Sequence, residues 1–165
     1  MSPQALLKRF YAAFAILDAR TMRSCYASDA RFEDPVFALQ GNEAIGTMWQ
    51  MLCETMRNRG QAVFRLEARD IEAIEDRGSA HWEVRYRFGA AGRMVHNVVE
   101  AQFTFENGLI ASHVDSFDFW RWARQALGPT GLALGWTDYL HEKVRRDSNA
   151  KLERRLQRDA ARIAG

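Results

Sequence analysis

Two aspartates stand where a carboxylate could do proton chemistry. Asp34 lies in "ARFEDPVFALQG", directly before Pro35 and among Phe32, Val36 and Phe37. An Asp before proline commonly bonds the backbone a few residues on and makes a turn. A carboxylate held against apolar side chains instead has its charged form disfavoured, which suits it to take and return a proton. The second, Asp115, lies in "LIASHVDSFDF". Alternation along that segment puts His113, Asp115 and Phe117 on one face, so His113 can orient Asp115.

Other chemistries lack their residues. There is no glycine pattern for phosphate or dinucleotide binding. His81, His96, His113 and His141 have no metal-ligand spacing, and His113 with Asp115 alone are too few ligands. Cys25 and Cys53 form no CxxC pair and read as buried thiols of a reducing compartment. No Ser-His or Cys-His pairing suggests itself. Neither a metal nor a cofactor is expected.

The elements that must position the aspartates follow from periodicity. Leu6, Leu7, Phe10, Tyr11, Phe14 and Leu17 recur at helical spacing behind Pro3, and a short second helix is predicted over about Ala19–Tyr26. "ARFEDPVF" is extended, since Pro35 turns Asp34 away from helix. Asn42 caps a third helix with Ile45, Met48, Trp49, Leu52 and Met56 on one face. The period then becomes two. Trp82, Val84, Tyr86 and Phe88 alternate with His81, Glu83, Arg85 and Arg87, "MVHNVVEAQFTF" is a long strand, and "ENG" turns the chain into "LIASHVDSFDF". The fold class is α+β: a curved antiparallel sheet packed with N-terminal helices into a conical pocket, plus a C-terminal helix. The expected organisation is a domain over residues 1–128 and a helical extension over 129–165. In the extension Trp136, Leu140 and Val144, then Leu152, Leu156 and Ile163, make a narrow apolar stripe. It predicts a helix packed in its first part and solvated beyond Asn149.

The 165 residues are 47% hydrophobic and 27% charged, which suits a single globular domain with its own core. Net charge is only +2, but the segment from His141 onward holds eight Lys/Arg against four Asp/Glu. A solvated helix face explains that excess without a nucleic-acid or membrane partner. "YAAFAIL" is too short and ends at Asp18, which argues against a signal peptide. No apolar run is long enough to span a bilayer, and the default location is cytoplasmic.

From Leu6 to Phe117 this pattern resembles the nuclear-transport-factor-two-like superfamily. Ketosteroid isomerases, limonene epoxide hydrolases and SnoaL-like polyketide cyclases share that fold. "RFEDPV" is similar to the isomerase segment whose Asp is the general base, which implies that role for Asp34. Phe10 falls where the isomerase has its Tyr oxyanion donor, with Tyr11 one residue away. Ala101, two residues before Phe103 and Phe105, falls where the isomerase has its protonated Asp donor. Steroid isomerisation is therefore not expected. The H-x-D of His113 and Asp115 is similar to the SnoaL-like pattern with a catalytic Asp near the end of the sheet. The resemblance thus implies Asp34 and Asp115 in one pocket, and two carboxylates there cannot both ionise cheaply, so one serves as acid and the other as base. An epoxide hydrolase needs an Asp-Arg-Asp relay, and Arg85 and Arg87 fall on the wrong strand face for it.

The resulting expectation is a cofactor-independent enzyme that transfers protons on a small apolar carbonyl or polyketide-like compound, as isomerase, cyclase or dehydratase. Its catalytic residues are Asp34, Asp115, His113 and Tyr11. Phe10, Phe14, Phe37, Trp49, Trp82, Tyr86, His96, Ala101 and Phe117 are its substrate contacts. The alternative is a non-catalytic binding or dimeric interaction domain of the same fold. The resemblance also implies a homodimer through the convex sheet face.

Overall fold

The computed structural model describes residues 1–164. Helix α1 spans Pro3–Ala15, with Ser2 Oγ accepting from the Ala5 N–H at 3.3 Å and Pro3 in the first turn. Helix α2 spans Ala19–Ser24 and leads into strand β1, Tyr26–Glu33. Strand β2 is Ala38–Gln40, and helix α3 is Asn42–Asn58. Asn42 is not the cap expected of it: Gly41 takes that position, at φ 92°. The Asn42 amide instead donates to the carbonyls of Arg23 and Tyr26, both at 3.0 Å, and ties α3 to the end of α2.

Four long strands follow: β3 Arg65–Ile74, β4 Arg77–Phe88, β5 Arg93–Glu106 and β6 Leu109–Ser116. They are antiparallel, and the β5–β6 hairpin turns on Asn107 and Gly108, both at positive φ, as "ENG" predicts. The sheet is mixed rather than wholly antiparallel. Its order is β2-β1-β6-β5-β4-β3, and β1 runs parallel to β6. The fold is α+β, with an open six-stranded sheet and helices against it.

The strand faces follow the period-two reading. Trp82 and Val84 on β4, Val95, Val99, Ala101 and Phe103 on β5, and Ile110, His113 and Asp115 on β6 are buried. Of these, Trp82, Val84, Val99, Ala101, Phe103 and Ile110 meet Leu6, Leu7, Phe10, Tyr11 and Phe14 of α1 and Ile45, Met48, Trp49 and Met56 of α3 in one core. A smaller cluster of Val95, Trp122, Ala123, Ala126 and Leu140 carries helix α4, Phe119–Ala126. Cys25 and Cys53 are buried free thiols. Among the described residues, no helix is long and apolar enough to cross a membrane.

Helices α5, Pro129–Leu134, and α6, Asp138–Ala164, follow. The expectation that α6 is solvated past Asn149 is corrected here. Leu152 is 3% exposed and belongs to the main core, with Leu156 packed beside it. Arg155 forks onto the Glu54 carboxylate of α3 at 2.9 and 3.1 Å. Only Ala160 to Ala164 form a run that is exposed throughout. Earlier in the helix, His141 Nε2 meets the Pro35 carbonyl at 2.5 Å and the Asn149 amide donates to the Val36 carbonyl at 3.2 Å. The extension thereby grips the turn that carries Asp34.

Candidate active site

The turn after β1 is built by Asp34 itself. Its Oδ1 accepts the backbone N–H groups of Val36 and Phe37 at 2.7 and 2.6 Å, and its own N–H donates to the Phe37 carbonyl at 2.9 Å. The turn and the cavity wall are served by one geometry. One oxygen makes the turn, and the residue also lines a cavity of about 350 Å³. Phe14, Phe32, Phe37, Trp49, Trp82 and Phe117 are among the aromatic walls of that cavity, and Asp115 lines it too. Burial pushes the Asp34 carboxyl up from 3.8 to about 6, against the pull of the two backbone N–H groups, and the charge of Asp115 adds to the rise.

Asp115 is held from behind. Its Oδ1 accepts from Trp82 Nε1 at 3.3 Å and from His113 Nε2 at 2.9 Å. His113 Nδ1 lies 2.6 Å from the Tyr26 hydroxyl, which lies 3.1 Å from Trp49 Nε1. An indole N–H can only donate, so the Tyr26 oxygen accepts it. In the neutral imidazole tautomer that carries its hydrogen on Nε2, Nε2–H donates to Asp115 and Nδ1 accepts the Tyr26 proton. The chain from Trp49 through Tyr26 and His113 to Asp115 runs one way and is buried throughout. Tyr26→Phe is expected to strand the Trp49 N–H and the His113 Nδ1 and to cost about 1–3 kcal/mol. Urea denaturation measures it, and a loss under about half a kcal/mol would show that these bonds carry nothing.

Three expected substrate contacts lie elsewhere. Phe10 is fully buried beneath the site, edge-on to Tyr26, Trp49 and His113 with centroids 5.8, 5.7 and 5.7 Å away. Ala101 is fully buried opposite Asp115 in the β5–β6 ladder and has no side chain to extend. His96 is on the outer face of β5, where its Nε2 meets Glu83 at 2.7 Å, because its parity is opposite to that of Ala101. None of the three lines the cavity. His113 stands behind Asp115 rather than in the cavity wall, and Tyr11 is likewise outside the lining. The Tyr11 hydroxyl is buried without a hydrogen-bond partner, and its pKa is raised by burial and then by the charge of Asp115. Phe14, Phe37, Trp49, Trp82, Tyr86 and Phe117 do line the cavity.

Several lining residues escaped the sequence reading. Asn97 is 8% exposed and faces the cavity from β5. Its signal was available: it shares the parity of Val95, Val99 and Ala101, and an amide on an apolar strand face is out of place. The Tyr86 hydroxyl accepts from Trp122 Nε1 at 2.9 Å and keeps its proton free. Burial pushes it up to about 12, Trp122 pulls it down, and the charge of Asp34 raises it further. Val144, Ser148, Lys151 and Leu152 of α6 close one side. Arg87 also reaches the cavity, from the end of β4, despite its outward strand parity. Among the described residues, no group of three or more His, Cys, Asp or Glu could hold a metal ion.

Residues 7–113 match the model of the SnoaL-like domain, and the chain belongs to that family. No curated protein matches the sequence. Among solved structures, a protein of ketosteroid isomerase-like fold from Catenulispora acidiphila, in complex with trimethylamine, is 14% identical at a TM-score of 0.62, over 83% of this chain and 99% of that one. An NTF2-like protein of unknown function from Burkholderia pseudomallei is 20% identical at a TM-score of 0.60, over 76% and 98%. An epoxide hydrolase of Mycobacterium tuberculosis is 20% identical at a TM-score of 0.56, over 78% and 90%. At these identities the likeness is one of fold.

Proposed function

We propose that the protein is a cofactor-independent enzyme that moves a proton on a carbon next to a carbonyl group of a small, largely apolar compound. The observation that carries this reading is Asp34: its carboxyl lines an aromatic cavity and has been pushed to about 6 by burial. A base with its pKa near working pH is ionised and still basic enough to take a carbon-bound proton. Asp34 Oδ1 is spent on the turn, so Oδ2 is the reacting atom. The free O–H of Tyr86 and the amide of Asn97 are the donors for the carbonyl oxygen as charge builds on it. They replace the donors absent at Phe10 and Ala101. Asp115, its Oδ1 engaged by Trp82 and His113, offers Oδ2 as the second carboxylate, which serves as partner acid or second base. Tyr11 is left without a step. The extension over residues 129–165 acts as a wall and clamp of the same site.

The test is deuterium uptake. A panel of cyclic and aryl ketones is incubated in D₂O with the protein, and exchange of the α-protons is followed by NMR. Exchange is expected with the wild type and not with Asp34→Asn, which keeps shape and removes only proton transfer. Tyr86→Phe is expected to slow exchange about a hundredfold, the cost of losing one donor to the developing oxyanion. Compounds that bind with no exchange would favour the second reading, a binding domain of the same fold, to which Phe10 and Ala101 lend support. Homodimerisation through the outer sheet face belongs to this proposal on the family resemblance, and sedimentation velocity tests it.

A further inference from the structure

The cavity has a sign at each end. Its aspartates, buried Asp115 and half-buried Asp34, have exposed counterparts in the same lining: Arg59, just past α3, Arg87 at the end of β4, and Lys151 on α6. Exposed lining residues mark the open rim, so three cations from three elements surround the mouth while two carboxylates sit deeper. The two arginines are tethered. Arg59 Nη1 donates to the Gly89 carbonyl, and Arg87 Nη1 donates to the Gly92 carbonyl at 3.1 Å. Both anchors lie in the β4–β5 hairpin, and the remaining N–H groups of each fork are unused among the described residues.

None of the three cations pairs with a carboxylate among the described residues. Elsewhere on α6, Lys143 holds Asp147 and Arg155 holds Glu54 and Asp159. The rim charges are therefore unspent, and the two arginines are held by their hairpin anchors. An anionic head that entered first would meet Asp34 and Asp115, whereas a ligand that enters apolar end first leaves its anionic head among the three cations. The field thus orients a ligand as well as attracting it.

We propose that the ligand of this cavity is an amphipathic anion: a ring-sized apolar body seated against Asp34, and one carboxylate, sulfonate or phosphate group held at the rim by Arg59, Arg87 and Lys151. This rests on the reading of the cavity as a binding site, and it adds a substrate class and a direction of binding. A neutral ketone of the same shape binds more weakly. The anionic group marks the end of the molecule farthest from the carbon that Asp34 attacks.

Two fluorescent probes of one ring system test this on the full chain. They are 8-anilinonaphthalene-1-sulfonate and the neutral N-phenyl-1-naphthylamine. The sulfonate is expected to bind about tenfold or more tighter, the order of one or two charge-assisted contacts, and its advantage should shrink with added salt. The double variant Arg59→Glu with Lys151→Glu, both exposed and expected to fold, should erase the difference. Arg158→Glu tests the alternative seat: Lys151, Arg154 and Arg158 also line a shallow groove farther along α6, and this variant should leave the preference intact. Equal affinities, or a preference that survives the double reversal, overturn the proposal. So does a preference lost only with Arg158→Glu, which would put the anion in the outer groove. Preference for the sulfonate without deuterium exchange would sink the enzyme reading alone, and exchange without that preference would sink this one alone. If neither probe binds, this proposal falls, and the enzyme reading stands or falls on deuterium exchange.

Discussion

Replacing Asp34 by Asn is expected to stabilise the protein at pH 8 by up to about 3 kcal/mol and to change its stability little at pH 3.5. The Asp34 carboxyl goes from 3.8 to about 6 on folding, and each pH unit of difference corresponds to about 1.4 kcal/mol. The sign follows from which state binds the proton more tightly. The folded state does, so the contribution of Asp34 is present in full below 3.8 and is lost as pH rises through about 6. Above that, the fold carries a carboxylate that water would hold better. Asn keeps the oxygen that accepts the Val36 and Phe37 N–H groups and carries no charge to bury. Urea midpoints of both proteins across pH 3.5–8 measure the difference, in which other titrating groups largely cancel. A gap that is flat with pH, or that widens toward acid, would mean that Asp34 is not buried in its charged form.

Ending the chain at Asn149 is expected to cost about 3–5 kcal/mol. Leu152 is 3% exposed within the main core, and emptying such a site costs on the order of 2–5 kcal/mol. Leu156 adds partial burial, and the Arg155 fork on Glu54 is partly exposed and adds at most about 1 kcal/mol. For a chain of this length that is a drop of roughly ten degrees in melting temperature. The cut also removes Lys151 and Leu152 from the cavity lining, so affinity for an apolar probe should fall with it. A melting temperature within two degrees of the full chain would return α6 to the role of a solvated tail.

Periodicity made most of the fold legible. Trp82, Val84 and Tyr86 read as one strand face because pleating leaves a strand only two faces, and the structure keeps them together on the cavity side. Asp34 was conspicuous because a charge between Phe32 and Phe37 needs a local reason. What stayed illegible was set by contacts distant in sequence. Tyr26 reaches His113 across 87 residues, and Asn149 reaches Val36 across 113. No spacing rule spans such gaps. The α6 stripe looked too thin to pack because part of what holds it is polar: Arg155 on Glu54, His141 on Pro35. Phe10 and Ala101 show the limit of position-by-position transfer. A matched position carries over a place in the chain, and what the side chain touches depends on how its own helix or ladder is packed.

The parallel pairing of β1 with β6 fixes when this molecule can become itself on the ribosome. Strand β6 lies between β1 and β5, so the N-terminal helices and β1 have no finished sheet to join until Ser116 has been made. Until then the nascent chain carries Phe10 and Trp49 without His113, against which both rings pack. Contacts that close loops this long make folding slow, and exposed apolar faces in the interval are what chaperones bind. The two aspartates are therefore strangers for most of synthesis, and they meet only in the step that completes the sheet.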